Sequence, residues 1–217
     1  VDDLYNHDFA QIRQLYVIGY DIPLSGITAR FGEGYAVYDD REQWHQGDLS
    51  TLSGIEHCVF LRSLNIACQY SLNLDGLEEL QKLDELAMIQ CGITDISPLA
   101  NLTTLRRLSL GWNSLHNIDD LFKLTNLEML GFWSNEIEDI SALAQLEKIY
   151  YLDIADNRIS DISVVQGMPL LQELWMYSNQ IQDISPLDGL KELRTIMMRD
   201  NPVNNYGAFQ ENIHRYK

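Results

Sequence analysis

The chain has 217 residues, 46% of them apolar, and a formal charge of -17. Acidity spread along its whole length repels phosphate backbones, whose capture depends on Lys and Arg displacing counterions, so neither nucleic acid nor an anionic membrane is expected as a partner. No apolar run approaches the roughly 20 residues that cross a bilayer, so membrane insertion is not expected either.

The chain opens at Val1, not Met, as expected of a processed chain or of part of a longer one. Leu4, Phe9, Ile12 and Leu15 have helical spacing, and "IRQLYVIG" then alternates like a strand. Ile12, Leu15 and Val17 reproduce a Leu-x-x-Leu-x-Leu spacing that recurs later, which predicts a divergent first coil. From Gly19 to Gly47 that order is lost. The β-favouring stretches "ITARF" and "YAVYD" flank Gly32-Glu33-Gly34 and predict an inserted hairpin. Residues 1–48 are therefore read as an N-terminal capping region.

Order returns at Leu49. The strand motif begins at Leu61, Leu83, Leu105, Leu127, Ile149, Leu171 and Leu193, each start 22 residues after the last, with apolar residues at the fourth and sixth positions. At the ninth position stand Asn113, Asn135, Asn157, Asn179 and Asn201, with Gln69 and Cys91 at the two earlier rungs. A fixed period of this length is the signature of a solenoid whose coils bury one continuous core. Residues 49–201 form this array, and 202–217, with Tyr206 and Phe209, are read as a C-terminal cap or tail.

Between strands the apolar residues fall at every third position, as in Ile93, Ile96, Leu99, Leu102 and Leu105, which suits 3₁₀ turns better than α-helices. Ser53, Asp75, Ser97, Asp119, Ser141, Ser163 and Ser185 are expected to be their N-caps, with Pro98 and Pro186 following at the first helical position. Asp95, Asp139, Asp161 and Asp183 are expected to bond the backbone of the turn. An inward asparagine, carrying both donors and an acceptor, is expected to satisfy the groups left unpaired by each bend.

The segments "LRRLSLGWNSLHNIDDLFKLTN" and "LQELWMYSNQIQDISPLDGLKE" resemble the short 22-residue form of the leucine-rich repeat family, similar to bacterial internalins and to phosphatase-regulatory repeat proteins. That resemblance implies an α/β solenoid, a right-handed horseshoe with a parallel concave sheet and short 3₁₀ turns on its convex side. It also implies a non-catalytic protein-binding module, exported or at the cell surface of a bacterium. A spacer within a surface protein and a regulatory subunit of an intracellular enzyme are the alternatives it leaves open.

With positions one, four and six inside, positions three, five and seven face out on the concave sheet, with position eight at its edge. The candidate partner-binding residues are Trp112, Met129, Trp133, Tyr151, Asp153, Glu173, Trp175, Tyr177, Met197 and Arg199. Trp133 has Gly111, Gly131 and Ala155 as neighbours, so its indole face is expected to be open. The carboxylates beside the aromatics favour a basic protein or peptide ligand, with a glycan as the competing ligand. The five histidines are scattered, and no zinc spacing, phosphate loop or nucleophile elbow is present, so no catalytic residue, cofactor or metal site is predicted. Cys58, Cys68 and Cys91 cannot all pair within one chain, and no disulfide framework is expected.

Overall fold

A computed structural model of the chain describes residues 14–18, 52, 55–67, 69 and 71–206. The expected hairpin within 19–47, the helical lead-in, Ser53 and the tail beyond Tyr206 lie outside these residues.

Eight strands form one parallel sheet in strict chain order. They are β1 (Gln14–Ile18), β2 (Ser63–Ala67), β3 (Glu85–Ile89), β4 (Arg107–Ser109), β5 (Met129–Gly131), β6 (Tyr151–Asp153), β7 (Glu173–Trp175) and β8 (Thr195–Met197). From β2 onward each register step is one period: Leu64 pairs with Leu86, Leu86 with Leu108, and Leu108 with Leu130. The expected first coil joins in the expected frame, Leu15 opposite Leu64 and Val17 opposite Ile66.

Seven short 3₁₀ turns lie between the strands from Ile55 onward, and the described residues contain no α-helix. Spacing by three stacks apolar side chains on one side of such a turn. Thus Ile137, Ile140, Leu143, Leu146 and Ile149 are all buried, and they join Leu127, Leu130 and Phe132 in a core running the length of the array. No single coil could bury this face alone. Cys58 and Cys91 occupy two of its slots, neither of them in a disulfide.

The asparagines work as expected. Asn135 donates through Nδ2 to the carbonyls of Leu110 at 3.0 Å, Phe132 at 2.9 Å and Trp133 at 3.2 Å, and its Oδ1 accepts from the Leu115 N–H at 2.9 Å. Asn113, Asn157, Asn179 and Asn201 repeat the pattern one coil apart. At the irregular rung, the Cys91 thiol reaches the same kind of carbonyls, those of Ile66 at 3.6 Å and Ile89 at 3.4 Å. The Gln69 amide donates to the Ala67 carbonyl at 3.1 Å.

The capping expectation is corrected. Ser97, Asp119, Ser141, Ser163 and Ser185 are the first residues of their turns, and isoleucines (Ile96, Ile118, Ile140, Ile162 and Ile184) stand at the N-cap without a side-chain bond. Asp75 likewise gives way to Gly76, whose φ of 93° places it in the left-handed region. The acceptor lies two residues before the first turn residue, and the aspartates bond the backbone of the turn as expected. Asp95, Asp139, Asp161 and Asp183 take the Ser N–H at 2.7–2.8 Å, and Asn117 takes that of Asp119. Pro98 and Pro186 consequently sit at the second helical position. The backbone N–H of Ser141, then its hydroxyl, hold the Asp139 carboxyl below the ordinary aspartate range. At Asp183 the Ser185 hydroxyl leads and its N–H follows. A carboxyl depressed in this way stabilises the fold at neutral pH, and that contribution is lost as pH falls through the folded-state value.

Removing a ladder rung strands the buried Leu115 N–H and leaves a void. Asn135→Ala is expected to cost about 2–4 kcal/mol in urea unfolding, and Asn135→Cys less, because a thiol already serves this slot at Cys91.

Candidate interaction surface

Alternation along each strand sends two rows of side chains onto the concave face. Row three reads Ser63, Glu85, Arg107, Met129, Tyr151, Glu173 and Thr195 across the register, and row five reads Asn65, Ala87, Ser109, Gly131, Asp153, Trp175 and Met197. Just beyond the strands, row seven holds Ala67, Ile89, Gly111, Trp133, Ala155, Tyr177 and Arg199.

The N-terminal half of this face pairs with itself. Glu85 holds the guanidinium of Arg107 and accepts from the Ser63 hydroxyl at 3.1 Å, while Asn65 donates to Ser63 at 3.1 Å. Its charges are already spoken for.

The centre is closed by Trp133. Its indole is only 4% exposed, which corrects the expectation of an open face. A Cβ built on Gly111 would lie 2.3 Å from indole Cε2, and one on Gly131 would lie 3.0 Å from Cζ3. The ring therefore lies flat in a hollow that exists because both residues lack a side chain. It joins Ala67, Ile89 and Ala155, with Tyr177 packed alongside, in a second apolar cluster on the concave side of the sheet. The signal for this was the pair of glycines beside the tryptophan, read at first as open space.

Met129 and Tyr151 are buried as well, and Asp153 is fully buried, its Oδ1 accepting the Ala155 N–H at 3.2 Å. These three and Trp133 form the floor. A buried carboxylate without such bonds would be strongly unfavourable.

The remaining candidates are open. Met197 is 43% exposed and Arg199 lies in solvent, while Glu173, Trp175 and Tyr177 are half-buried. The Arg199 guanidinium stands 5.1 Å from the Tyr177 ring centroid, and its Nε is 3.8 Å from Asp200. Trp175 Nε1 donates to no acceptor among the described residues. Trp112, 55% exposed, stands apart at the edge of the sheet. The sequence-predicted set thus divides into a floor (Met129, Trp133, Tyr151, Asp153), an open cluster on β7 and β8 (Glu173, Trp175, Tyr177, Met197, Arg199) and one isolated edge residue.

A family model described as "Leucine Rich repeats (2 copies)" matches residues 125–167. The solved internalin C2 of Listeria monocytogenes shares 30% identity at a TM-score of 0.61, the match covering 71% of this chain and 78% of that one. The chain belongs to the internalin-like leucine-rich repeat family. A second internalin of Listeria monocytogenes, inlF, aligns at 31% identity and a TM-score of 0.69 over 71% of this chain, which spans only 46% of that relative's length. A leucine-rich repeat protein of Leptospira interrogans, 20% identical over 74% of this chain and 48% of its own at a TM-score of 0.62, shares the fold. No curated protein matches the chain. Such repeat proteins are typically non-catalytic. Among the described residues no group of His, Cys, Asp and Glu is arranged to hold a metal ion, and no helix is long and apolar enough to cross a membrane.

Because the Gly111 hollow is filled by the ring, Gly111→Ala is expected to lift the indole of this internalin-like chain into solvent. The expected cost is about 1–3 kcal/mol, with a red shift in tryptophan emission. Gly131→Ala, whose Cβ would meet the ring at 3.0 Å at its nearest, is expected to do less.

Proposed function

We propose that this chain is a non-catalytic recognition module of an exported or surface-attached bacterial protein, holding a protein partner against the concave face over β7 and β8. The observation that carries this reading is the exposure of Met197 and Arg199 beside the half-buried Trp175 and Tyr177 on the adjacent coil, next to a floor that is already packed. Trp, Tyr and Arg are the residue types that dominate binding energy when a partner desolvates them. A rigid sheet presents them without the ordering cost that loops incur on binding. The internalin-like neighbours support a protein-interaction role and, more loosely, a location outside the cell.

The double variant Trp175→Ala/Met197→Ala tests this. Bait and variant are compared by affinity capture from host and bacterial extracts, read by mass spectrometry, and each captured protein is then titrated in purified form. The expected result is a loss of about 100-fold or more in affinity with unchanged circular dichroism. Equal binding by a folded double variant would remove the concave face from the account, and capture of a glycan in place of a protein on an array would replace the ligand class.

A further inference from the structure

Just after each strand from β3 to β8 the backbone enters the left-handed region at one residue per coil: Gln90, Trp112, Ser134, Asp156, Ser178 and Asp200, with φ between 53° and 58°. Here the coil turns away from the sheet, and the N–H of this residue donates to the next coil, as Trp112 does to the Trp133 carbonyl at 2.9 Å and Asp156 to that of Tyr177 at 2.8 Å. Short polar residues tolerate the conformation, and bulky ones are disfavoured there. Five of these positions are polar, and the sixth is a tryptophan that is 55% exposed. Trp112 is thus held in an unfavourable backbone conformation without burying its ring in return. It is also fixed in place, because the Asn113 amide clamps the carbonyls of Leu110 at 2.9 Å and Gly111 at 3.1 Å directly behind it. An outlier held this rigidly points to a role in binding.

The ground between Trp112 and the open cluster is low. Ser134, the flat-lying Trp133, Ala155 and Asp156 separate Trp112 from Tyr177 along the solenoid axis. The exposed Asp156 accepts from the Ser134 hydroxyl at 2.8 Å, and it faces solvent between the two aromatics, two coils from Trp112 and one from Tyr177. Three coils at a strand spacing of about 4.8 Å separate these rings by about 14 Å. An extended peptide rising about 3.4 Å per residue covers that span in about four residues, with side chains i, i+2 and i+4 on one face.

We infer that Trp112 and the Trp175–Tyr177 pair are the two ends of one groove. It takes an extended segment lying across the strands, with apolar side chains four residues apart and between them a Lys or Arg whose long side chain reaches Asp156. The inference rests on the concave-face reading above and names the partner's local chemistry. An acidic segment would meet Asp156, Glu173 and Asp200, while Arg199 is engaged with Tyr177 and Asp200. The chain's charge of -17 likewise favours a basic partner.

The probe is a random linear peptide library displayed on phage and panned on the intact chain. Selected peptides are then labelled and titrated by fluorescence polarisation against wild type, Trp112→Ser, Asp156→Asn and Trp175→Ala/Met197→Ala. Ser and Asn both suit the left-handed turn, so the first two variants keep the fold, and Trp112→Ser is expected to raise the melting temperature. The expected consensus is apolar, any residue, Lys or Arg, any residue, apolar. Trp112→Ser is expected to weaken binding at least about tenfold. Asp156→Asn is expected to weaken it about two- to fivefold and to erase the preference for Lys over Gln at the central position. If Trp112→Ser and Asp156→Asn bind as wild type while Trp175→Ala/Met197→Ala does not, the concave-face reading stands and the groove is overturned. If no variant changes binding, both readings fall. A selection yielding no binders, a helical spacing or an acidic consensus also overturns the groove.

Discussion

The whole structure depends on one constraint: where each coil leaves the sheet, backbone groups point into the interior and need partners. A leucine core cannot supply them. One inward asparagine per coil does, bonding to carbonyls of its own turn and of the coil before, and accepting an N–H twenty residues back. Because each rung touches two coils, it fixes their register as well as their turns, and every register step after β2 is consequently one full period. The direction of every concave side chain follows from that register. Where Cys91 or Gln69 replaces the asparagine, part of the same bonding is kept, and the sheet continues through them unbroken.

The same turn sets the chemistry of the surface. From β3 onward, leaving the strand places a left-handed residue next to the inward rung residue, so each of these coils offers one rim position suited to small polar side chains. Beside it, row seven alternates between small and large residues from Ala67 to Tyr177, and Gly111 in that row with Gly131 in row five lets Trp133 lie down on the sheet. The concave face is therefore two surfaces. A closed floor in the middle stiffens the sheet with a second apolar cluster, and what remains open lies at its C-terminal end and at the Trp112 rim. Burying Trp133 leaves binding to residues around it, and the flat floor keeps the path between them clear.

Most of the fold was legible because it rests on periodic backbone needs. The 22-residue interval, the inward asparagines and the spacing by three reported the parallel ladder and the 3₁₀ turns directly. The caps were misplaced by one residue, onto the first residue of each turn, because an Asx bond and a hydroxyl cap use the same residue types, and only geometry separates Asp139 bonding Ser141 from Ser141 bonding the turn. The site was less legible. Strand alternation gives the direction of Cα–Cβ and says nothing of χ angles, so it put Trp133 on the correct face while its ring turned back to the sheet. Glycine next to tryptophan reads equally as clearance or as a socket. The 2.3 Å approach of a Gly111 Cβ to the ring decides for the socket.

The most direct test of this divided surface is ¹⁹F NMR of the chain labelled with 5-fluorotryptophan, its four tryptophans assigned by single Trp→Phe replacements and compared in H₂O and D₂O. The account predicts a large solvent isotope shift for Trp112, a smaller one for Trp175 and none for Trp133, with only the first two responding to a bound partner. A Trp133 resonance as solvent-sensitive as that of Trp112, or the one most perturbed by the partner, would contradict it.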